Sequence, residues 1–147
     1  MSAAAADALI DRLGLRPHPE GGCYVETYRD HPADGSGRGA VSCIYFLLRA
    51  GERSAWHRID ATEIWHYQAG GPLAITLSSN GRGAETYRLG PDVLKGERPH
   101  VVVPPFCWQT AGTLGGGGWT LVSCTVAPAF TFEGFELAPA GWCPTPG

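Results

Sequence analysis

A histidine and a glutamate, His57 and Glu63, stand six residues apart in a segment bounded by Gly51 and Gly70. If residues 53–59 and 63–69 are neighbouring strands, alternation turns His57 and Ile59 to one face of the first and Glu63, Trp65 and Tyr67 to one face of the second. A short turn at residues 60–62 brings those faces into one pocket. The chemistry is acid/base chemistry. A glutamate enclosed by Trp65 and Tyr67 loses hydration, which raises its pKa, and an imidazole titrates near neutrality already. Such a pair moves a proton between two carbons of a bound substrate. The competing reading is that His57 and Glu63 only hydrogen-bond each other inside a barrel.

The elements that hold this pair are short. Residues 3–13 carry Leu9, Ile10 and Leu13 at helical spacing and end at Gly14, which predicts one amphipathic helix. A turn-rich stretch from Arg16 to Gly22 leads to residues 23–28, where Tyr24, Glu26 and Tyr28 share a face; they either cover the barrel mouth or are ordinary edge-strand residues. Beyond a polar loop at 31–39, strands are expected at 41–49, 53–59, 63–69, 73–79, 85–89, 100–103, 107–111 and 119–126. Glycine, asparagine and proline fall between them, with Asn80-Gly81 the clearest hairpin signal. Even spacing of short strands predicts an all-β antiparallel sandwich or barrel.

With 147 residues, the chain has the size of one domain, and 21 glycines, 12 prolines and only 17 % charged residues favour strands and turns. A net charge of −3 offers no basic face for nucleic acid. No segment reaches the ~18 continuous apolar residues of a membrane span. The amino terminus lacks the features of a signal peptide, and the five cysteines are widely spaced, so reduced thiols and a cytoplasmic location are expected. Cys43 and Cys124 stand in apolar runs and read as core. Next to turn residues, His18, His31 and His100 read as surface groups.

Two strand-turn-strand units, at 51–70 and 96–112, resemble the two motifs of the cupin superfamily. Gly51, His57, Glu63 and Gly70 fit the first, but Ile59 stands where a second histidine is usual. In the second, Pro104 is kept, Phe106 stands for a glycine and Gln109 for a histidine. The stretches His18-Pro-Glu-Gly-Gly22, Glu26-Thr-Tyr28, Glu63-Ile-Trp-His66, Val126-Ala-Pro-Ala-Phe130 and Phe135-Glu-Leu137 are similar to the small single-domain branch called cupin-5. The resemblance implies a double-stranded β-helix, the cupin jelly-roll barrel, over about residues 22–137 behind the short helix. It also implies a homodimer and a pocket in the barrel mouth.

Cupins that bind a metal tightly present three histidines and a glutamate, and here isoleucine and glutamine replace two of the imidazoles. No cofactor is therefore expected; the alternative is a divalent transition metal on His57, Glu63 and Gln109. The favoured expectation is a metal-independent isomerase or epimerase acting on a small, sugar-like metabolite, with His57 and Glu63 catalytic. Trp65, Tyr67, Gln109, Tyr24 and Glu26 are the candidate substrate-binding residues. Two alternatives stay open: a binding module that captures a small molecule without turning it over, and a metal-dependent oxygenase or isomerase. The expected partners are a small-molecule ligand and a second copy of the chain.

Overall fold

The computed structural model describes residues 2–147. Helix α1 (Ala3–Leu13) starts at Ser2, whose side chain accepts the Ala5 amide at 3.1 Å, and stops at Gly14, where φ is 70°. A residue with a Cβ resists that left-handed turn. Leu9, Ile10 and Leu13 of the helix pack on Leu15, Leu47, Trp119 and Leu121.

Among the described residues eleven strands follow: β1 (Arg16–Pro17), β2 (Cys23–Arg29), β3 (Ser42–Leu48), β4 (His57–Ile59), β5 (Thr62–Gly70), β6 (Leu73–Ser78), β7 (Glu85–Leu89), β8 (His100–Val103), β9 (Trp108–Thr113), β10 (Thr120–Ala127) and β11 (Phe135–Leu137). They form a six-stranded sheet ordered β1-β2-β3-β10-β5-β8 and a five-stranded sheet ordered β11-β4-β9-β6-β7. Every strand pair is antiparallel, and the two sheets make the jelly-roll barrel. Strand alternation sorts the core. On β3, Phe46 and Leu48 turn inward to Trp65, Ile75, Leu89 and Val122, while Leu47 between them turns outward to the helix.

Two local expectations change. The strand expected at 53–59 is reduced to His57–Ile59, with Arg53 in an isolated bridge to Gly112. Between them the Ser54 amide bonds the Ala111 carbonyl at 2.8 Å and the Ala55 amide bonds the Glu20 carbonyl at 2.6 Å. That second bond ties the segment to a loop instead of a strand. Furthermore, β4 and β5 are not neighbours in one sheet. The turn at Asp60 and Ala61 carries the chain from the five-stranded sheet to the six-stranded one, so His57 and Glu63 face each other across the barrel. The Asn80-Gly81 signal does mark a hairpin between β6 and β7, with a longer loop than two residues.

Candidate functional site

A cavity of about 610 Å³ opens between the sheets, and both His57 and Glu63 line it. Its wall also includes Glu20, Tyr24, Cys124 and Phe135. Each polar group at the floor has an identifiable partner.

Glu63 is 7 % exposed and lies on β5 between Val126 and Val103 of the neighbouring strands. Its Oε1 accepts the Gln109 Nε2 hydrogen at 2.8 Å, and Gln109 Oε1 accepts the Trp65 Nε1 hydrogen at 2.9 Å. The Cys124 thiol is its other hydrogen-bond partner. Burial, joined by the charge of Glu20, pushes the Glu63 pKa up to about 7, against the opposing pull of His57 and the two hydrogen bonds. The same burial, with Glu63 beside it, holds the Cys124 thiol protonated well above its ordinary range. It is therefore a donor to Glu63, not a nucleophile.

His57, 2 % exposed, sits on β4 opposite Gln109 of β9. Its Nδ1 lies 2.8 Å from the Ala55 carbonyl oxygen and its Nε2 lies 2.8 Å from Glu20 Oε2. A carbonyl only accepts, so Nδ1 carries a hydrogen. Burial alone would discharge this ring, but the charge and hydrogen bond of Glu20, with Glu63 nearby, outweigh it and raise the pKa to about 9. The floor thus sets the His57 ring, its pKa raised to about 9, against Glu20, with Glu63, raised to about 7, alongside.

Glu20 escaped sequence reasoning, although the His18-Pro-Glu-Gly-Gly22 stretch that carries it was a marker of resemblance. Proximity to turn residues made His18 look like a surface group. In the structure His18 lines the cavity half-buried, its Nδ1 accepts the Glu20 amide at 3.1 Å, and burial lowers its pKa. The usable signal was the paired glycine. At Gly22 φ is 73°, and a Cβ there would come within 2.8 Å of Phe46 and 2.9 Å of the Leu47 carbonyl. Only glycine lets this loop press onto β3, which sinks Glu20 into the barrel.

Among the other expected residues, Tyr24 and Glu26 line the cavity, with Glu26 held by two hydrogen bonds from Arg29 at 3.0 and 2.8 Å. Gln109 is fully buried behind Glu63. Trp65 and Tyr67 correct the expected aromatic wall. Trp65 is packed in the core against Phe46, and Tyr67 donates its hydroxyl hydrogen to the Gly70 carbonyl at 2.6 Å. Neither lines the cavity, to which β5 contributes Glu63. Its aromatic groups come instead from Phe130, Phe132 and Phe135. Cys124, expected as core filling, is in the core cluster and also reaches the cavity wall. His66 points away toward His100 and Thr125, and His31 and His100 are exposed.

The donor set does not fit a divalent ion. Ile59 has no lone pair, both His57 nitrogens are engaged, and the Gln109 amide is committed on one side to Trp65 and on the other to Glu63. Among the described residues no three histidine, cysteine or carboxylate side chains are grouped as metal ligands.

A family model described as "Cupin superfamily (DUF985)", Cupin_5, matches residues 7–138. The chain is 43 % identical to a crystallised protein of Shewanella oneidensis, covering 90 % of this chain and 84 % of that one, with a TM-score of 0.84. A hypothetical protein from Leishmania major is 31 % identical over 93 % of this chain and 89 % of its own, with a TM-score of 0.83. A cupin 2 domain-containing protein of Halorhodospira halophila, 16 % identical over 85 % of this chain and 75 % of its own with a TM-score of 0.58, shares the fold alone. No curated protein matches.

Proposed function

Because the chain belongs to the Cupin_5 family of the cupin superfamily, we propose that it is a metal-independent enzyme of the isomerase or epimerase type, moving protons on a small, sugar-like metabolite held between its sheets. The observation that carries this reading is Glu63: a buried carboxyl, oriented by Gln109 and Cys124, at the floor of an open cavity beside the His57–Glu20 pair. A buried group that titrates near neutrality at the edge of a cavity can both give and take a proton. The phenylalanines and Tyr24 offer the C–H face of a ring an apolar surface, while the carboxyls meet hydroxyl or carbonyl oxygens.

Mass spectrometry of any ligand carried through purification, followed by assay of that ligand with the wild type and with Glu63→Gln, tests the proposal. The substitution keeps the shape and removes the titrating group. Turnover should fall by about 10²-fold or more while binding persists. A ligand bound and never converted would make the protein a binding module.

The five cysteines are all free thiols, which supports a cytoplasmic location. No described helix is long and apolar enough to cross a membrane. We also propose a homodimer. The outer flank of β2 beyond Tyr24 has no paired strand, since β1 spans only two residues, and Tyr28 is 54 % exposed there. Light scattering that gives a monomer mass at micromolar concentration would refute it.

A further inference from the structure

The proposed reaction needs a second proton-handling group, and His57 has no nitrogen left to offer. Nδ1 is spent on the Ala55 carbonyl and Nε2 on Glu20, both at 2.8 Å. Glu20 differs in this respect. Its Oε2 faces His57, and no protein group among the described residues bonds its Oε1. The one buried side-chain nitrogen or oxygen without a partner among those residues is Trp119 Nε1, so Glu20 Oε1 is not sealed in the protein; it is reached from the cavity that Glu20 lines.

We infer that Glu20 is the second catalytic carboxyl of this site, the base that takes a proton from carbon, with His57 as its positioning residue. The inference rests on the proton-transfer function proposed above and names the substrate class: small α-hydroxy aldehydes and ketones. The loop that carries Glu20 is fixed for this work. The Ala55 amide bonds the Glu20 carbonyl, the His18 ring accepts its amide, and the His18 amide bonds the Gly22 carbonyl at 3.0 Å. The His57 ring, 2.8 Å from Oε2, aims the Glu20 carboxyl, beside a second carboxyl, Glu63, whose pKa burial raises to about 7.

The step balances without a co-reactant. Glu20 Oε1 forms a bond to the proton on the carbon next to the substrate carbonyl, and the C–H electron pair becomes a C=C bond. The carbonyl π pair takes the Glu63 proton, giving an enediol, a Glu63 carboxylate and a protonated Glu20. Glu20 then returns its proton to the former carbonyl carbon, while Glu63 removes the hydroxyl proton from the neighbouring oxygen. The product is the isomeric carbonyl compound, and both carboxyls are restored.

The test uses dihydroxyacetone, glyceraldehyde and a set of free aldoses and ketoses in D2O, with deuterium incorporation at the carbon next to the carbonyl followed by NMR. Acetohydroxamate, a planar mimic of the enediol, serves as a binding probe. Wild type should exchange and bind the hydroxamate. Glu20→Gln should lose exchange by about 10²-fold or more, Glu20→Asp should keep part of it, and His57→Gln should lower kcat with little change in KM and remove the limb of the pH–rate profile near 9. If Glu20→Gln strips His57 of its partner and unfolds the protein, the Glu20→Gln/His57→Gln double variant replaces the ion pair by two amides and is assayed instead. Exchange that depends on Glu63 but survives in a folded Glu20 variant overturns the inference and leaves the proposed function intact. No exchange and no hydroxamate binding by the wild type overturns both.

Discussion

The indole of Trp65 decides which way round Gln109 sits. Trp Nε1 can only donate, so the amide oxygen of Gln109 must face it, at 2.9 Å, and the amide nitrogen must face Glu63, at 2.8 Å. A core tryptophan therefore orients the group that orients the titrating carboxyl. Trp65→Phe preserves most of the packing and releases the amide to flip. The flipped amide would present an oxygen to Glu63 and stabilise only its protonated form. The Glu63 titration, followed by carboxyl ¹³C NMR, should move upward from about 7 in this variant, and binding of an enediol mimic should weaken about tenfold, equivalent to one hydrogen bond.

The pH dependence of stability follows from the same floor. Both Glu63 and His57 hold a proton more tightly folded than unfolded, with folded pKa values of about 7 and about 9. Each thus contributes stability that is complete below its ordinary pKa and is lost as pH rises through the folded one. Glu63 acts between roughly pH 4.5 and 7, and His57 between roughly 6.5 and 9. The melting temperature should fall across that whole span, by about 2–4 °C for each kcal/mol lost. Glu63→Gln should flatten the acid half of the slope and leave the alkaline half, as read by scanning calorimetry at a series of pH values.

Legibility in the sequence followed the range of the forces involved. Strand alternation and glycine or proline punctuation are local, so the β character, the helix and the burial of His57 and Glu63 could be read directly. Sheet membership is not local. Two strands separated by Asp60 and Ala61 look like a hairpin, and nothing in those residues says that the turn crosses between layers. The Trp65 and Tyr67 expectation failed for that reason, since alternation gives a face but not how far along the strand the cavity extends. Glu20 was hidden differently: a charged residue in a proline- and glycine-rich turn reads as solvated, and its burial depends on a partner 37 positions away, His57.

Phe106 records a strain left where the family motif has glycine. Its φ is 63°, in the left-handed region, and its ring is 59 % exposed. That backbone costs an L-residue about 1 kcal/mol, and little apolar burial offsets it. Phe106→Gly should raise the melting temperature by about 2 °C, the relief being partly cancelled by the greater freedom of glycine in the unfolded chain. A drop of several degrees would mean the ring makes a contact worth more than the strain.

Arg38 links the aromatic side of the cavity to the turn between β4 and β5. Its guanidinium bonds both carboxylate oxygens of Asp60, at 2.8 and 3.0 Å, and the Ala129 carbonyl at 2.5 Å. Residues 130–135 follow directly and supply the three phenylalanines. The pair is part-exposed, so Arg38→Ala should cost only about 1 kcal/mol of stability. Its larger effect should be on ligand capture: KM rising severalfold with kcat nearly unchanged, checked by steady-state assay once a substrate is in hand.

Metal dependence can be tested without a substrate. In the wild type, a divalent ion would have to pull His57 from Glu20 and turn Gln109 away from Glu63, losing two buried hydrogen bonds to gain one imidazole, one carboxylate and a weak amide ligand. Zinc, nickel or iron(II) added to chelator-treated protein should therefore leave the melting temperature unchanged, and chelation should leave acetohydroxamate binding unchanged. Ile59→His with Gln109→His supplies the missing imidazoles on the same wall as His57, since residue 109 pairs with His57 across β4 and β9. That double variant should lose stability without metal, because Ile59 packs against Val126, Phe130 and Phe135. It should regain about 2.7 kcal/mol at a metal concentration one hundred times the dissociation constant. A stoichiometric ion that stabilises the wild type to the same extent would reverse the assignment and make His57, Glu63 and Gln109 ligands.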